Sequence, residues 1–280
     1  MHKTIIAAAL AAGCSAPTFA QTAAPAGEHT ITGNLGLFSS YRFRGIDQTF
    51  GRPALQGGFD YSHSSGFYLG NWNSNVSSGA GFPEGNLEMD FYGGYKTAFG
   101  DFGVDVGGLY YYYPGSDARP LSGTNAKHPG KTASGTVHNG EIYVAGSWKF
   151  LTLKYSYAVT DYFMVPETQG SGYLDLSANY DLGNGWGVNG HVGHLYMKDF
   201  RYSGTTGDPS GSYTDWKVGV TKDVNGWVFG AAYVGTNANG DCGKAEFYCF
   251  SNSLNSAGTL GSKTKDAGRG IAVLSVSKTF

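Results

Sequence analysis

The chain has 280 residues, 21 acidic side chains against 19 Lys and Arg, and a formal net charge of -2. That balance offers no basic face and excludes nucleic acid as a partner. With 45 glycines, 15% aromatic and only 14% charged residues, the chain also departs from soluble domains, where about a quarter of residues are charged.

The first residues follow export-signal grammar. Lys3 supplies a positive start, Ile5, Ile6 and the Ala-rich run to Ala12 form an apolar core, and Thr18-Phe19-Ala20 carries small residues at a cleavage position. Cleavage is expected after Ala20. The apolar run is far below the roughly 20 residues of a membrane helix. Lipidation at Cys14 is a competing reading, but the Leu that motif prefers sits one position too early, at Leu10. Residues 21–30 are then expected as a short periplasmic segment, and residues 31–280 as one domain.

In that domain the main signal has period two. Leu87, Met89, Phe91 and Tyr95 alternate with Glu88, Asp90, Tyr92 and Lys96; Leu151, Leu153, Tyr155, Tyr157 and Val159 alternate with Thr152, Lys154, Ser156, Ala158 and Thr160. A strand with this pattern has one apolar and one polar face. Twelve such segments follow in order: 31–43, 54–62, 66–76, 86–98, 102–113, 139–149, 151–160, 172–180, 186–198, 213–222, 227–236 and 269–280. Most reach the roughly 9–11 residues of a tilted membrane-crossing strand. In the third and ninth, Asn and His interrupt the apolar alternation.

The connections alternate in length. Short ones fall at 62–66, 100–101, around Phe150, at 181–185 and at 224–226, several with the Gly, Asn or Asp of tight hairpins. Long ones cover 44–53, 77–85, 114–138, 161–171, 199–212 and 237–268. Short periplasmic turns opposite long extracellular loops are what outer-membrane barrels show. The expected fold is all-β: a single transmembrane antiparallel up-and-down β-barrel of about twelve strands, behind a cleaved signal peptide. One aromatic ring is expected beside the short turns, with Phe59, Phe67, Phe102, Trp148, Trp186 and Trp227. A second is expected near the long loops, from Tyr41, Phe43, Tyr110, Tyr112, Tyr162, Phe163, Tyr196 and Tyr233.

After cleavage only Cys242 and Cys249 remain, close together in one exported loop, and they read as a disulfide. The last strand ends on Phe280. A terminal aromatic on an alternating strand resembles the signal read by the bacterial barrel-assembly machinery, although Lys278 stands where a hydrophobic residue is more usual.

The N-terminal third also resembles a specific family. Ser40-Tyr41-Arg42-Phe43-Arg44-Gly45, Pro53-Ala54-Leu55-Gln56-Gly57-Gly58-Phe59-Asp60 and Gly66-Phe67-Tyr68-Leu69-Gly70-Asn71-Trp72 look like the opening of the TorF family, conserved proteobacterial proteins described as proposed porins. The resemblance implies an outer-membrane location and a pore. It supplies no substrate and no catalytic residue.

If the alternation holds, the polar faces line the lumen. The candidate pore-lining residues are Arg42, Arg44, Asp60, Glu88, Asp90, Lys96, Asp105, Lys154, Asp175 and Lys217, with Asn34, Glu141, Lys149 and Asp215 on the same faces. Such groups set conductance and selectivity in pores, or pair across the lumen and plug it. Arg42 and Arg44 stand out, because Arg grips a carboxylate or other anion in a bidentate way. The competing reading is a fixed salt bridge to Asp47, Asp60 or Asp90.

His191 and His194, three apart on a strand, face opposite sides and cannot share an ion, so no metal is expected. No cofactor and no catalytic motif is read, so the chain is not expected to be an enzyme. The expected function is passive diffusion of small hydrophilic solutes through the outer membrane, with lipid around the barrel and the loops at 114–138 or 237–268 narrowing the pore. The alternative is a non-conducting barrel with a structural or surface-binding role through its loops.

Overall fold

The computed structural model describes residues 27–203 and 209–280. The export signal, its cleavage point at Ala20 and Cys14 lie outside the described residues. Twelve antiparallel strands close into one barrel. They are β1 (His29–Phe38), β2 (Ala54–His63), β3 (Phe67–Asn75) and β4 (Leu87–Phe99). Next come β5 (Phe102–Tyr112), β6 (His138–Trp148), β7 (Leu151–Ala158) and β8 (Gly172–Gly183). The last four are β9 (Trp186–Tyr196), β10 (Tyr213–Val224), β11 (Trp227–Thr236) and β12 (Ile271–Thr279). Each strand pairs with the next in the chain, and β12 returns to pair with β1. Closure gives every strand a neighbour on both sides, with only the first residues of β1 overhanging at the rim; a bilayer interior requires this because no water there can satisfy a bare backbone group.

The short turns have the chemistry of two-residue hairpins. Asn184-Gly185 and Asn225-Gly226 place both central residues at positive φ, 53° and 74°, then 54° and 80°. That is the mirror-image turn whose twist matches its strands. Lys149 takes φ 54° in the turn between β6 and β7. It is therefore exposed at the barrel end and does not lie on the inner face of a strand, as the alternation had suggested.

Period two is obeyed around the wall. Leu35, Leu69, Ile142, Val144, Leu174, Val192 and Val218 point outward and are exposed, a belt no soluble barrel would leave open to water. Beside the short turns stand Phe59, Phe67, Phe99, Phe102, Trp148, Trp186, Trp227 and Phe280, all exposed. Lys149, Lys222 and Lys278 lie 4.9, 5.0 and 4.8 Å from the ring centres of Trp148, Trp186 and Trp227. The outward Lys278 thus has a physical reason: its stem follows an aromatic face while its amine reaches the headgroup level. On β3, Asn71 and Asn73 do face outward, but their amides bond the Asp90 and Gly57 backbone carbonyls at 3.0 and 3.3 Å. The polar ends are turned onto the wall.

Replacing the outward Val218, 64% exposed, by Arg is expected to destabilise the barrel by about 2–4 kcal/mol in lipid vesicles. Urea unfolding against the parent protein reads this out. An effect near zero would mean that this face does not meet hydrocarbon.

The long-loop end is built differently from the expectation in one respect. The first strand was expected to run to residue 43, but β1 ends at Phe38. Beyond it the chain turns inward, and residues 40–49 are all buried. Arg42–Phe43 pairs with Ile46–Asp47 as a miniature hairpin inside the barrel. Its tip, Arg44-Gly45, takes φ 48° and 78°. A Cβ on Gly45 would lie 2.3 Å from Thr236 Cγ2 and 2.7 Å from Asp215 Cβ, so only glycine lets the tip press against β10 and β11.

Candidate functional site: the barrel lumen

The hairpin fills the long-loop half of the lumen. Tyr41 is wholly buried and meets Trp72 edge-on at 5.5 Å. Phe43 packs against Tyr111 and Phe163 at 5.5 and 5.7 Å. Ile46 joins a second apolar cluster with Tyr162, Tyr173, Leu195 and Tyr213. The second aromatic ring is thus split. Tyr110, Tyr196 and Tyr233 stand on the outer wall, whereas Tyr41, Phe43 and Tyr162 are buried inside, with Phe163 packed against them.

Both hairpin arginines are tied into the wall. Arg44 donates from Nη2 to Glu141 Oε2 at 2.8 Å and from Nη1 to the Tyr162 hydroxyl at 3.0 Å, and its guanidinium lies 4.3 Å from the Tyr173 ring centre. Burial pushes the Tyr162 hydroxyl up to about 12, so it is a neutral acceptor for this bond. Arg42 donates from Nη1 to the backbone carbonyls of Gly45, Ala267 and Arg269 at 3.3, 2.9 and 3.2 Å, and its Nη2 stands 3.8 Å from Asp47. Asp47 also takes Lys265 at 2.5 Å. Of the three carboxylates expected opposite the arginines, Asp47 is a partner of Arg42. Glu141 holds Arg44, and Asp60 and Asp90 are engaged elsewhere or lack a cation.

The other candidates fall into two arcs. Along β2–β6, Asp60 accepts from Tyr92 at 2.5 Å and from Asn34 at 3.2 Å, Glu88 accepts from Tyr41 at 2.9 Å, and Asp105 accepts from Tyr68 at 2.6 Å. Asp90 is fully buried, and its carboxyl has no hydrogen-bond partner among the described residues. Lys96 lies over the Tyr68 ring at 5.5 Å. Across the lumen, Lys154 lies 3.9 Å from the Tyr143 ring centre. His191 bridges two acids, with Nδ1 2.9 Å from Asp175 and Nε2 3.4 Å from Asp215, and pairs in register with Lys217. His194 faces outward and bonds Thr214 at 2.9 Å. The periodicity gives no hint of the tyrosines that satisfy these acids, because an inward Tyr looks like an interruption of the polar face.

Below the hairpin is a cavity of about 190 Å³, whose lining includes Arg42, Arg44, Lys154, Lys217, Asp175 and His191. Its charged side chains are mainly basic, while the β2–β6 arc is mainly acidic. A hydrated solute in the cavity meets these basic groups with Asp175 among them.

The long loops interlock over the mouth. Asn125 Nδ2 donates to the carbonyls of Pro166 and Asp199 at 2.9 and 3.1 Å, and Lys131 reaches Glu167 at 2.7 Å. Hydrogen bonds from Lys127 and His128 hold the Asp199 carboxyl below the ordinary range. Ser77 Oγ donates to the Asn252 carbonyl at 3.1 Å. Cys242 and Cys249 are joined in a disulfide within the last loop.

The family model described as "Bacterial protein of unknown function (Gcw_chp)" matches residues 22–258. No curated protein matches the sequence. Among solved structures, the KdgM porin in complex with disordered oligogalacturonate is similar at 9% identity and a TM-score of 0.47, covering 89% of this chain and 98% of that one. The NanC porin is similar at 8% identity and a TM-score of 0.46, over 90% of this chain and 99% of that one. The P. putida toluene transporter TodX is similar at 12% identity and a TM-score of 0.43, over 92% and 91%. Likenesses this distant carry none of those proteins' solutes to this chain.

Proposed function

The chain belongs to this bacterial family of unknown function, and we propose that it is a porin-like channel of the bacterial outer membrane for small hydrophilic solutes, held shut by its inturned hairpin. The observation that carries the reading is a closed barrel with an apolar outside and a lumen rich in charged side chains around a cavity of about 190 Å³. A purely structural barrel gains nothing from inward charges that must each find a partner. The export signal cleaved near Ala20, the TorF resemblance and the Phe280 terminus as an assembly signal fit the same reading. In this arrangement the short turns face the periplasm, and the hairpin closes the extracellular side.

The pore-lining set is Arg42, Arg44, Asp60, Glu88, Asp90, Lys96, Asp105, Lys154, Asp175 and Lys217. Arg42 and Arg44 act on the hairpin as its fastening, and the remaining residues stand on the wall a solute passes. No catalytic role is assigned to any of them. Purified, refolded protein in planar bilayers is expected to show rare, brief conductance steps, because the hairpin must leave for ions to pass. Complete silence over repeated insertions, even with the hairpin removed, would refute the channel.

The filled upper lumen and the interlocked loops favour a second reading, a non-conducting barrel whose loop surface binds a partner. Loss of the loops would then abolish binding and leave bilayer recordings unchanged.

A further inference from the structure

The His pair judged from spacing, His191 and His194, is split by the wall, but the fold brings together another that lies far apart in the chain. At the short-turn end, β1 begins beyond the reach of β12. The β1–β12 pairing runs from Asn34 to Phe38 on β1, with Gly33 and Phe280 exchanging backbone bonds at its end. His29 to Thr32 pair with β2 alone. On this overhang His29 stands directly opposite His63, with ring centres 5.0 Å apart. Glu28 Oε1 is 3.3 Å from His63 Nε2.

We infer that Glu28, His29 and His63 form a binding site for a divalent transition-metal ion of the zinc class at the short-turn rim of the barrel. One ligand atom from each of the three lies within 4.8 Å of the other two. Ligands around tetrahedral zinc, each about 2.0–2.2 Å from the ion, stand about 3.4 Å apart. Small rotations of side chains at this exposed rim close the difference.

The neighbours of the two rings fit the role. His29 Nδ1 lies 2.8 Å from the Tyr61 hydroxyl, and His63 Nδ1 lies 2.6 Å from Ser65 Oγ. Ring nitrogens held this way leave Nε2 for the ion and fix the ring orientation, as outer partners do in metal sites. Without the ion, the Ser65 amide donates to His63 Nδ1 at 3.1 Å, and Nε2–H faces Glu28. On binding, the Nε2 proton shifts by tautomerisation to Nδ1, which donates it to Ser65 Oγ; the ring stays neutral, no net proton is released, and the Ser65 amide exchanges Nδ1 for solvent. Two imidazoles and one carboxylate select zinc, nickel or copper over calcium or magnesium, which prefer all-oxygen shells. Three protein ligands leave a fourth position open to water or to a group from a partner.

The test is calorimetric titration of zinc chloride into the processed, tag-free barrel in detergent. One ion per chain is expected, in the micromolar range, with no heat from calcium chloride. His29→Gln and His63→Gln are each expected to abolish the zinc signal while the barrel keeps its heat-dependent gel mobility. Ser65→Ala is expected to weaken binding about tenfold. Absence of zinc binding by the parent protein, or equal binding by the double variant, overturns the site.

Discussion

Removing residues 41–48 and joining Ser40 to Thr49 through a short glycine linker is expected to convert a mostly silent barrel into a steadily conducting one. The hairpin is anchored at its base, where Phe38 pairs with Ala54 at the top of β1 and β2. It is otherwise held by side-chain packing, by the polar contacts of its two arginines, Asp47 and Tyr41, and by two backbone bonds to loops, from the Asp47 amide to the Ala267 carbonyl and from the Ser77 amide to the Gln48 carbonyl. Its removal takes Tyr41, Phe43 and Ile46 out of the two clusters that fill the upper lumen. The strand ladder remains complete, because the hairpin pairs only with itself. The barrel should therefore fold and migrate as before, while conductance rises severalfold. Phe163 and the loop that bears it remain inside and keep the pore narrower than the bare strand ring. A deletion variant that inserts but conducts no more than the parent would show that the hairpin is not the barrier.

The Arg44–Glu141 pair sets how firmly that barrier is seated. Both side chains are almost wholly buried, at 7% and 2% exposure. Breaking a buried pair from one side costs about 3–5 kcal/mol, because the remaining charge stays desolvated and uncompensated. A strand cannot leave the barrel to escape this cost, but the hairpin can undock. The loss in Arg44→Met is therefore expected to appear as opening rather than as barrel unfolding. About 3 kcal/mol corresponds to roughly two orders of magnitude in the closed-to-open ratio. Open probability in single-channel records measures it. Glu141→Gln should open the channel in the same direction. The double variant Arg44→Met with Glu141→Leu, which removes both charges of the pair, should return toward the closed parent. If both single variants gate like the parent, the pair does not hold the closed state.

Most of the barrel was legible because lipid on one side and water on the other force strict alternation. β11 spans Trp227–Thr236, the limits its alternation marks, and the other strands differ from theirs by a few residues at their ends. The exceptions have physical causes. Tyr41 and Phe43 alternate with Arg42 and Arg44 as a wall strand would, yet all four are buried. A segment surrounded by protein hides both of its faces, and alternation then says nothing about position. The readable clue was the pair Arg44-Gly45, whose positive φ angles make the tip of the inner hairpin. Lys149 continues a polar face on paper and sits in a turn in space. The luminal acids were visible as charges on the right parity. Their pairing with Tyr68, Tyr92 and Tyr173 was not, because those contacts cross between strands that do not follow one another in the chain.

The join between the first and last strands ends just where the chain dives inward. Ser39 and Leu274 exchange the last bonds of that seam, the Ser39 amide to the Leu274 carbonyl at 2.8 Å and the Leu274 amide to Ser39 Oγ at 3.0 Å. One residue later the inner hairpin begins, and its Arg42 rests on the carbonyls of Ala267 and Arg269, just ahead of β12. The segment that leads into β12 is therefore both the approach to the seam and the ledge for the stopper, so a force that pulled β12 away from β1 would also loosen the seat of Arg42.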